Sequence, residues 1–119
     1  MGVTGIGGFF FRAKDPKALG AWYAQHLGVG AGSYGSWETQ AGPSLFLPFE
    51  ADTNSIDAGR QWMLNLRVEG LDDLCDALRA AGIEVTTNSE WNAPGVGRFA
   101  RLRDPEGNQI ELWEPDETD

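Results

Sequence analysis

Ile6 to Phe11 form a short apolar block, after which Leu19, Trp22, Tyr23 and Leu27 recur at helical spacing. The pattern predicts a strand followed by a helix over Pro16 to Leu27. Its boundaries carry three agreeing signals. Asp15 can accept a backbone N–H as N-cap, Pro16 suits the first helical position, and Gly28 can take the left-handed stop. The same grammar returns with strand-like Gln61 to Val68, then Gly70, then Leu71, Leu74, Cys75 and Leu78 at helical spacing, then Gly82, predicting a helix over Leu71 to Ala81. An offset of 55 sets Arg12 on Arg67, Ala13 on Val68, Leu19 on Leu74 and Tyr23 on Leu78, the mark of an internal duplication. Short strand-like runs follow each helix: Tyr34 to Gln40 and Ser44 to Phe49 in the first copy, then Glu84 to Thr87, Phe99 to Arg103 and Gln109 to Trp113 in the second. The expectation is an α+β fold in one domain spanning 1–119. It has two tandem βαβββ modules, at 5–49 and 61–113, with a linker at 50–60 and an acidic tail at 114–119.

Strand side chains alternate between packing on the helices and facing away from them. In the first strand Phe9, Phe11 and Ala13 take the helix side, leaving Gly8, Phe10 and Arg12 on the other. Leu64, Leu66 and Val68 likewise pack inward, leaving Gln61, Met63, Asn65 and Arg67. Asp104 to Asn108 has turn chemistry, with Pro105 second and Gly107 fourth. A five-residue loop there sets Arg103 opposite Gln109, Arg101 opposite Glu111 and Phe99 opposite Trp113, and sends Leu102, Ile110 and Leu112 to the helix side. The far face then collects Phe10, Arg12, Phe46, Met63, Asn65, Arg67, Arg101, Glu111 and Trp113 as candidate ligand-binding residues, with Arg103 and Gln109 beside them. Aromatics with a few convergent polar groups suit a small-molecule site. A solvated face laced with cross-strand charge pairs has the same pattern.

Charge narrows the partners. Nine Lys and Arg against 18 Asp and Glu give a formal charge of −9 and an isoelectric point near 4.4. A phosphate backbone or an anionic membrane should repel such a chain. The acidity suits a cationic ligand, whereas the arginines of the far face suit an anionic or carbonyl-bearing one. Cys75 is the single cysteine, so no intrachain disulfide can form, and the N-terminal residues carry no targeting pattern. A reducing cytoplasm is the expected location, with no membrane association.

The duplicated units, the Asp15-Pro16 start of a Trp22-Tyr23 helix and the block from Asp104 to Leu112 (DPEGNQIEL) together resemble the vicinal oxygen chelate superfamily. That superfamily includes glyoxalase I, extradiol dioxygenases and bleomycin-resistance proteins. The resemblance runs from Ile6 to Trp113 and implies two modules curved into a half-barrel mixed sheet, helices on its outer face and a common cavity within. It also implies a homodimer, since a partner chain commonly completes such cavities. Enzymes of the superfamily hold a divalent metal with one side chain from the first and last strands of each module. Those positions fall here on Gly8, Phe46, Met63 and Glu111, and a shift of two residues would put Asn65 in the place of Met63. Only Glu111 offers the expected donor, so no metal or other cofactor is expected. Three functional readings follow. One is a metal-independent small-molecule-binding protein of the bleomycin-resistance type. Another is a glyoxalase-like lyase, isomerase or dioxygenase in which Glu111 is catalytic base or ligand of an atypical divalent-metal site. The third is a non-catalytic interaction module.

Four further features read as structural. His26, the only histidine, sits where the helix dipole favours a cation. Cys75 falls on the apolar face of its helix, as a small core residue does. Gly30 to Gly35 matches a dinucleotide fingerprint but follows a helix rather than a strand, which makes it a loop. Asn88 to Gly97 is either a lid or a plain connection, and the linker at 50–60 carries no evident chemistry.

Overall fold

Helix α1 spans Pro16–Leu27, and each of its predicted boundary devices forms. The Asp15 carboxylate accepts from the Ala18 N–H at 3.0 Å, Pro16 opens the helix, and Gly28 stops it at φ 68°. The N–H of Val29 then reaches the Tyr23 carbonyl at 3.2 Å, closing the C-terminal carbonyls as a Schellman turn does. Leu19 and Tyr23 are its buried residues, and Trp22 packs edge-on against Tyr23 and tilted against His26. The computed structural model describes residues 1–116, and its contacts divide the chain into two compact units, Met1–Trp37 and Glu38–Asp119. Gly30 to Gly35 is a loop with a 3-10 turn at Ser33–Gly35.

The second unit contains one complete βαβββ module. Its elements are β1 (Leu64–Arg67), α2 (Leu71–Ala80), β2 (Thr86–Thr87), β3 (Gly97–Arg103) and β4 (Gln109–Pro115). They build a four-stranded mixed sheet in the order β1-β4-β3-β2, with β1 parallel to β4 and the other pairs antiparallel. Leu71, Cys75 and Leu78 of α2 are buried, as are Leu66, Ala100, Leu102, Ile110 and Leu112 of the sheet. This apolar packing against α2 fixes the β3–β4 register, because a slip of one residue would turn every core leucine to the far face. Arg103 pairs with Gln109, Arg101 with Glu111 and Phe99 with Trp113, as the turn chemistry predicts. The Asp104 carboxylate ties that turn by accepting from the N–H groups of Glu106 and Asn108 and from the Asn108 side chain.

Two expectations about the sheet need correction. Residues 6–11, 34–40 and 44–49 form no strand, so the sheet is that of one module and is not curled into the half-barrel of two. Local chemistry explains this in part. Gly7 and Gly8 weaken the first segment, Tyr34 and Gly35 break the second with φ of 59° and 73°, and Pro43 and Pro48 remove ladder donors around the third. β1 and β2 are shorter than the 61–68 and 84–87 that the pattern predicts, and β3 and β4 are longer than 99–103 and 109–113. Among the described residues no helix is long and apolar enough to cross a membrane.

The start of α2 shows a device that the helical pattern alone misses. Gly70 offers no capping side chain, and the Glu114 carboxylate supplies the acceptor from β4, taking the Leu71 N–H at 2.9 Å. Its other oxygen accepts from Arg98 at 2.7 Å, and Arg98 also reaches Asp72 at 3.0 Å. These donors hold the Glu114 carboxyl below the usual carboxylate range, the Leu71 N–H being the largest cause. Glu114 and Pro115 are therefore strand residues rather than tail. Asp116 fastens the preceding loop by accepting from the Gly95 N–H, while the rest of the expected tail, 117–119, lies outside the described residues. Replacing Glu114 with Ala should cost about 1 kcal/mol of stability, the usual worth of a cap. Because the folded carboxyl is shifted down, this contribution is full above the ordinary glutamate value and fades as pH falls through the folded one. Urea melts at pH 7 should show the deficit of Glu114→Ala, and melts at successively lower pH should show it closing.

Candidate functional site

The far face of the sheet is organised around Glu111. Its position opposite both Asn65 on β1 and Arg101 on β3 follows from the sheet order, which makes β4 an inner strand. Asn65 Nδ2 donates to Glu111 Oε1 at 2.8 Å and Arg101 Nε donates to Oε2 at 2.9 Å. Both carboxylate oxygens are thus engaged in a poorly hydrated place, where the side chains of Arg101 and Glu111 are 18% and 10% exposed. The Arg101 guanidinium also lies 4.2 Å from the ring centroid of Trp91, a cation–π contact. Toward the other end of the strands Phe99 and Trp113 stack with centroids 6.5 Å apart and planes 10° apart. Trp113 is buried and donates through Nε1 to the Val96 carbonyl at 2.9 Å.

Trp91 is a residue the sequence patterns do not single out. It comes from the loop at 88–97, and the structure shows how that loop is pinned. Asn92 accepts from the Phe99 N–H, Ala93 bridges to Gly97, and the Asp116 N–H reaches the Val96 carbonyl. Gly97 makes the close approach possible, since a Cβ there would collide with the Glu114 carbonyl, and its φ is 140°. Of the two alternatives for this loop, the connection fastened to the sheet describes it, and its contribution to the face is Trp91. The signal available in the sequence was an aromatic residue between Asn88 and Gly97, without any spacing that tied it to Arg101.

The other expected residues fall into three groups. Arg67 lies opposite Trp113, and its guanidinium donates to the carbonyls of Gln40, at 2.6 Å, and Pro43. Met63 precedes β1 and is half-buried. Phe46 is 85% exposed in a segment without strand pairing. Phe10 and Arg12 belong to the first unit, where both are exposed and Phe10 is 94% so. The structure therefore brings Asn65, Arg67, Arg101, Glu111 and Trp113 onto one sheet face and adds Phe99 and Trp91 to them.

The linker does carry chemistry. Asp57 takes both Arg103 Nε and Nη2 at 2.9 Å, a bidentate pair that holds its carboxyl below the usual range, and its N–H donates to Gln109 Oε1 at 3.0 Å. Gln109 Nε2 returns a bond to the Ser55 carbonyl, and Arg60 reaches the Asn108 side chain. Arg103 and Gln109 are consequently occupied by the chain itself. This clasp closes the hairpin end of the face and leaves the Arg101–Trp113 end as the part open to chemistry.

The four positions that the resemblance assigns to a metal do not fit one. Gly8 and Phe46 carry no donor atoms, the Met63 thioether is a poor partner for hard or borderline cations, and both oxygens of Glu111 are already engaged. The substitute Asn65 donates its amide to Glu111 rather than standing free as a ligand. Among the described residues no group of three or more His, Cys, Asp or Glu side chains is placed to hold a metal ion. Cys75 lies on the buried face of α2, where desolvation pushes its thiol up, consistent with a core residue.

Comparison with known proteins places this geometry. No curated protein matches the chain. Among solved structures it is similar to TnmS3, described as an antibiotic-binding protein from Streptomyces sp. CB03234, with 23% identity, a TM-score of 0.62, and coverage of 98% of this chain and 99% of that one. That likeness is one of fold. The glyoxalase-like domain family matches residues 8–113, which is most of the chain and includes the Asp104 to Leu112 block. The sheet that carries Asn65, Arg101 and Glu111 is thus that of a known family, and the chain belongs to the glyoxalase-like domain family.

Proposed function

We propose that this protein binds a small organic molecule on the Arg101–Trp113 end of the sheet and that it does so without a metal ion. The observation that carries the reading is the state of Glu111. The one residue matching the superfamily's metal-ligand pattern is closed by Arg101 and Asn65, while the neighbouring Phe99 and Trp91 offer aromatic surface. The fold shared with TnmS3, whose description is an antibiotic-binding protein, supports a binding role for the same kind of face. Glu111 then acts as a positioning residue, orienting the arginine that meets the ligand.

A homodimer belongs to this reading. Phe10, Phe46 and Leu47 leave large apolar side chains in solvent, and β1 is a sheet edge with one hydrogen-bonding side unfilled among the named strands. Exposed apolar surface and open edges of this kind are what association covers.

Three measurements follow. Removing the carboxylate charge in Glu111→Gln sets an amide against the Arg101 donor and should lower the unfolding free energy by about 2 kcal/mol, since hydrogen bonds to charged groups are worth that much. In a double-mutant cycle with Arg101→Met the two losses should be less than additive, and additive losses would show the pair to be uncoupled. Elemental analysis before and after chelator should find no stoichiometric divalent ion. One ion per chain that disappears in Glu111→Gln would move the protein to the enzyme reading. Light scattering should give twice 12.9 kDa, and the monomer mass at micromolar concentration would remove the dimer.

A further inference from the structure

We propose that the terminal nitrogens of Arg101 form the subsite for a carboxylate carried on an aromatic ring, with the ring lying along Phe99 and Trp91. This names the ligand class for the face already proposed to bind a small molecule, and it rests on that reading.

The geometry of Arg101 supports it atom by atom. Nε is fixed by Glu111 Oε2, and the guanidinium is held against Trp91, so the plane of the fork is set before any ligand arrives. Among the described residues no hydrogen bond runs from Nη1 or Nη2, and no side-chain nitrogen or oxygen is both buried and unpartnered. These two nitrogens therefore reach solvent. They present paired N–H donors from a side chain that is only 18% exposed. A fork of this kind, pre-oriented and partly desolvated, matches two oxygens of one carboxylate.

Local charge selects the same sign despite the overall acidity of −9. At the hairpin end Asp57 and Glu84 act on Arg103. Toward the Trp113 end Arg67 and Arg101 stand beside the Glu111 carboxylate; Asp57 also acts on Arg101 but is held bidentately by Arg103, and Arg67 meets backbone carbonyls rather than a carboxylate. An anion there meets a surplus of positive charge. An ammonium group would have to share Glu111 oxygens that already accept from Asn65 and Arg101. The aromatic part follows from register. The Phe99–Trp113 pair is the next on this face after Arg101–Glu111, two residues or about 7 Å along the strand. Phe99 is half-buried, with its ring stacked on Trp113. An arene carboxylate spans that step with its oxygens on Arg101.

The test compares 2-naphthoate, 2-naphthylmethylammonium and 2-naphthalenemethanol in NMR titrations of the full chain, following the Trp91 and Trp113 indole N–H and the Phe99 amide resonances. Naphthoate should shift all three and bind at least tenfold tighter than the other two. Arg101→Lys, which keeps the charge and loses the fork, should weaken naphthoate at least tenfold. Trp91→Leu should weaken it severalfold, and the exposed Arg79→Lys should leave it unchanged. Should an Arg101 variant fail to fold, the three-probe comparison on the unaltered protein still decides. Equal or tighter binding of the ammonium or the alcohol at these resonances overturns the anion subsite while the binding face stands. Failure of all three probes to move them overturns both. Naphthoate binding that Arg101→Lys leaves intact overturns the assignment to Arg101.

Discussion

The hydrogen-bonded ion pair between Arg101 and Glu111, completed by Asn65, is the interaction on which the character of this sheet face depends. The three residues come from three adjacent strands, so the full arrangement exists only when β1, β4 and β3 lie in their observed order. A buried carboxylate without donors would be costly by several kcal/mol, and here both oxygens are satisfied. The same bonds that make its burial tolerable also fix the orientation of Glu111 and Arg101. What remains available is the outer edge of the guanidinium and the aromatic rings beside it.

On the proposed reading, the glyoxalase-like frame is kept and an arginine fork stands where a metal site would be. A divalent metal needs several oxygen or nitrogen donors converging on one point, and Gly8, Phe46 and Met63 supply none. An arginine fork needs only orientation. Trp91 and Glu111 supply it from two sides, and the Asp57–Arg103 clasp closes the neighbouring end of the face against competing contacts. The loop that brings Trp91 depends in turn on Gly97, where no larger residue fits. The proposed binding face thus depends on a few backbone positions as much as on its side chains.

Much of this was legible in the sequence wherever one short segment contained the whole cause. The caps of α1 are such a case, because Asp15, Pro16 and Gly28 act within a few residues. The β3–β4 register is another, since the turn at Asp104 to Asn108 and the alternation of leucines jointly allow one pairing. Devices joined from distant segments were not legible. Glu114 caps a helix that starts 43 residues earlier, and Asp57 meets Arg103 46 residues later, without a periodicity to announce either. The strands expected in the first half illustrate the opposite limit. Their apolar content is genuine, but a strand is defined by its partner edge, and an apolar run does not name the partner. Gly8, Tyr34 and Pro43 are local marks that weaken those segments.

The most direct test of the central pairing is to observe the Arg101 Nε–H itself by 15N NMR. A donor held by Glu111 in a site only 18% exposed should give a resolved signal, shifted from that of free arginine, exchanging slowly with water and collapsing toward the free value in Glu111→Gln. An Arg101 Nε–H that exchanges as fast as an exposed arginine, and is indifferent to Glu111→Gln, would contradict the account and leave the carboxylate free for a metal or a catalytic role.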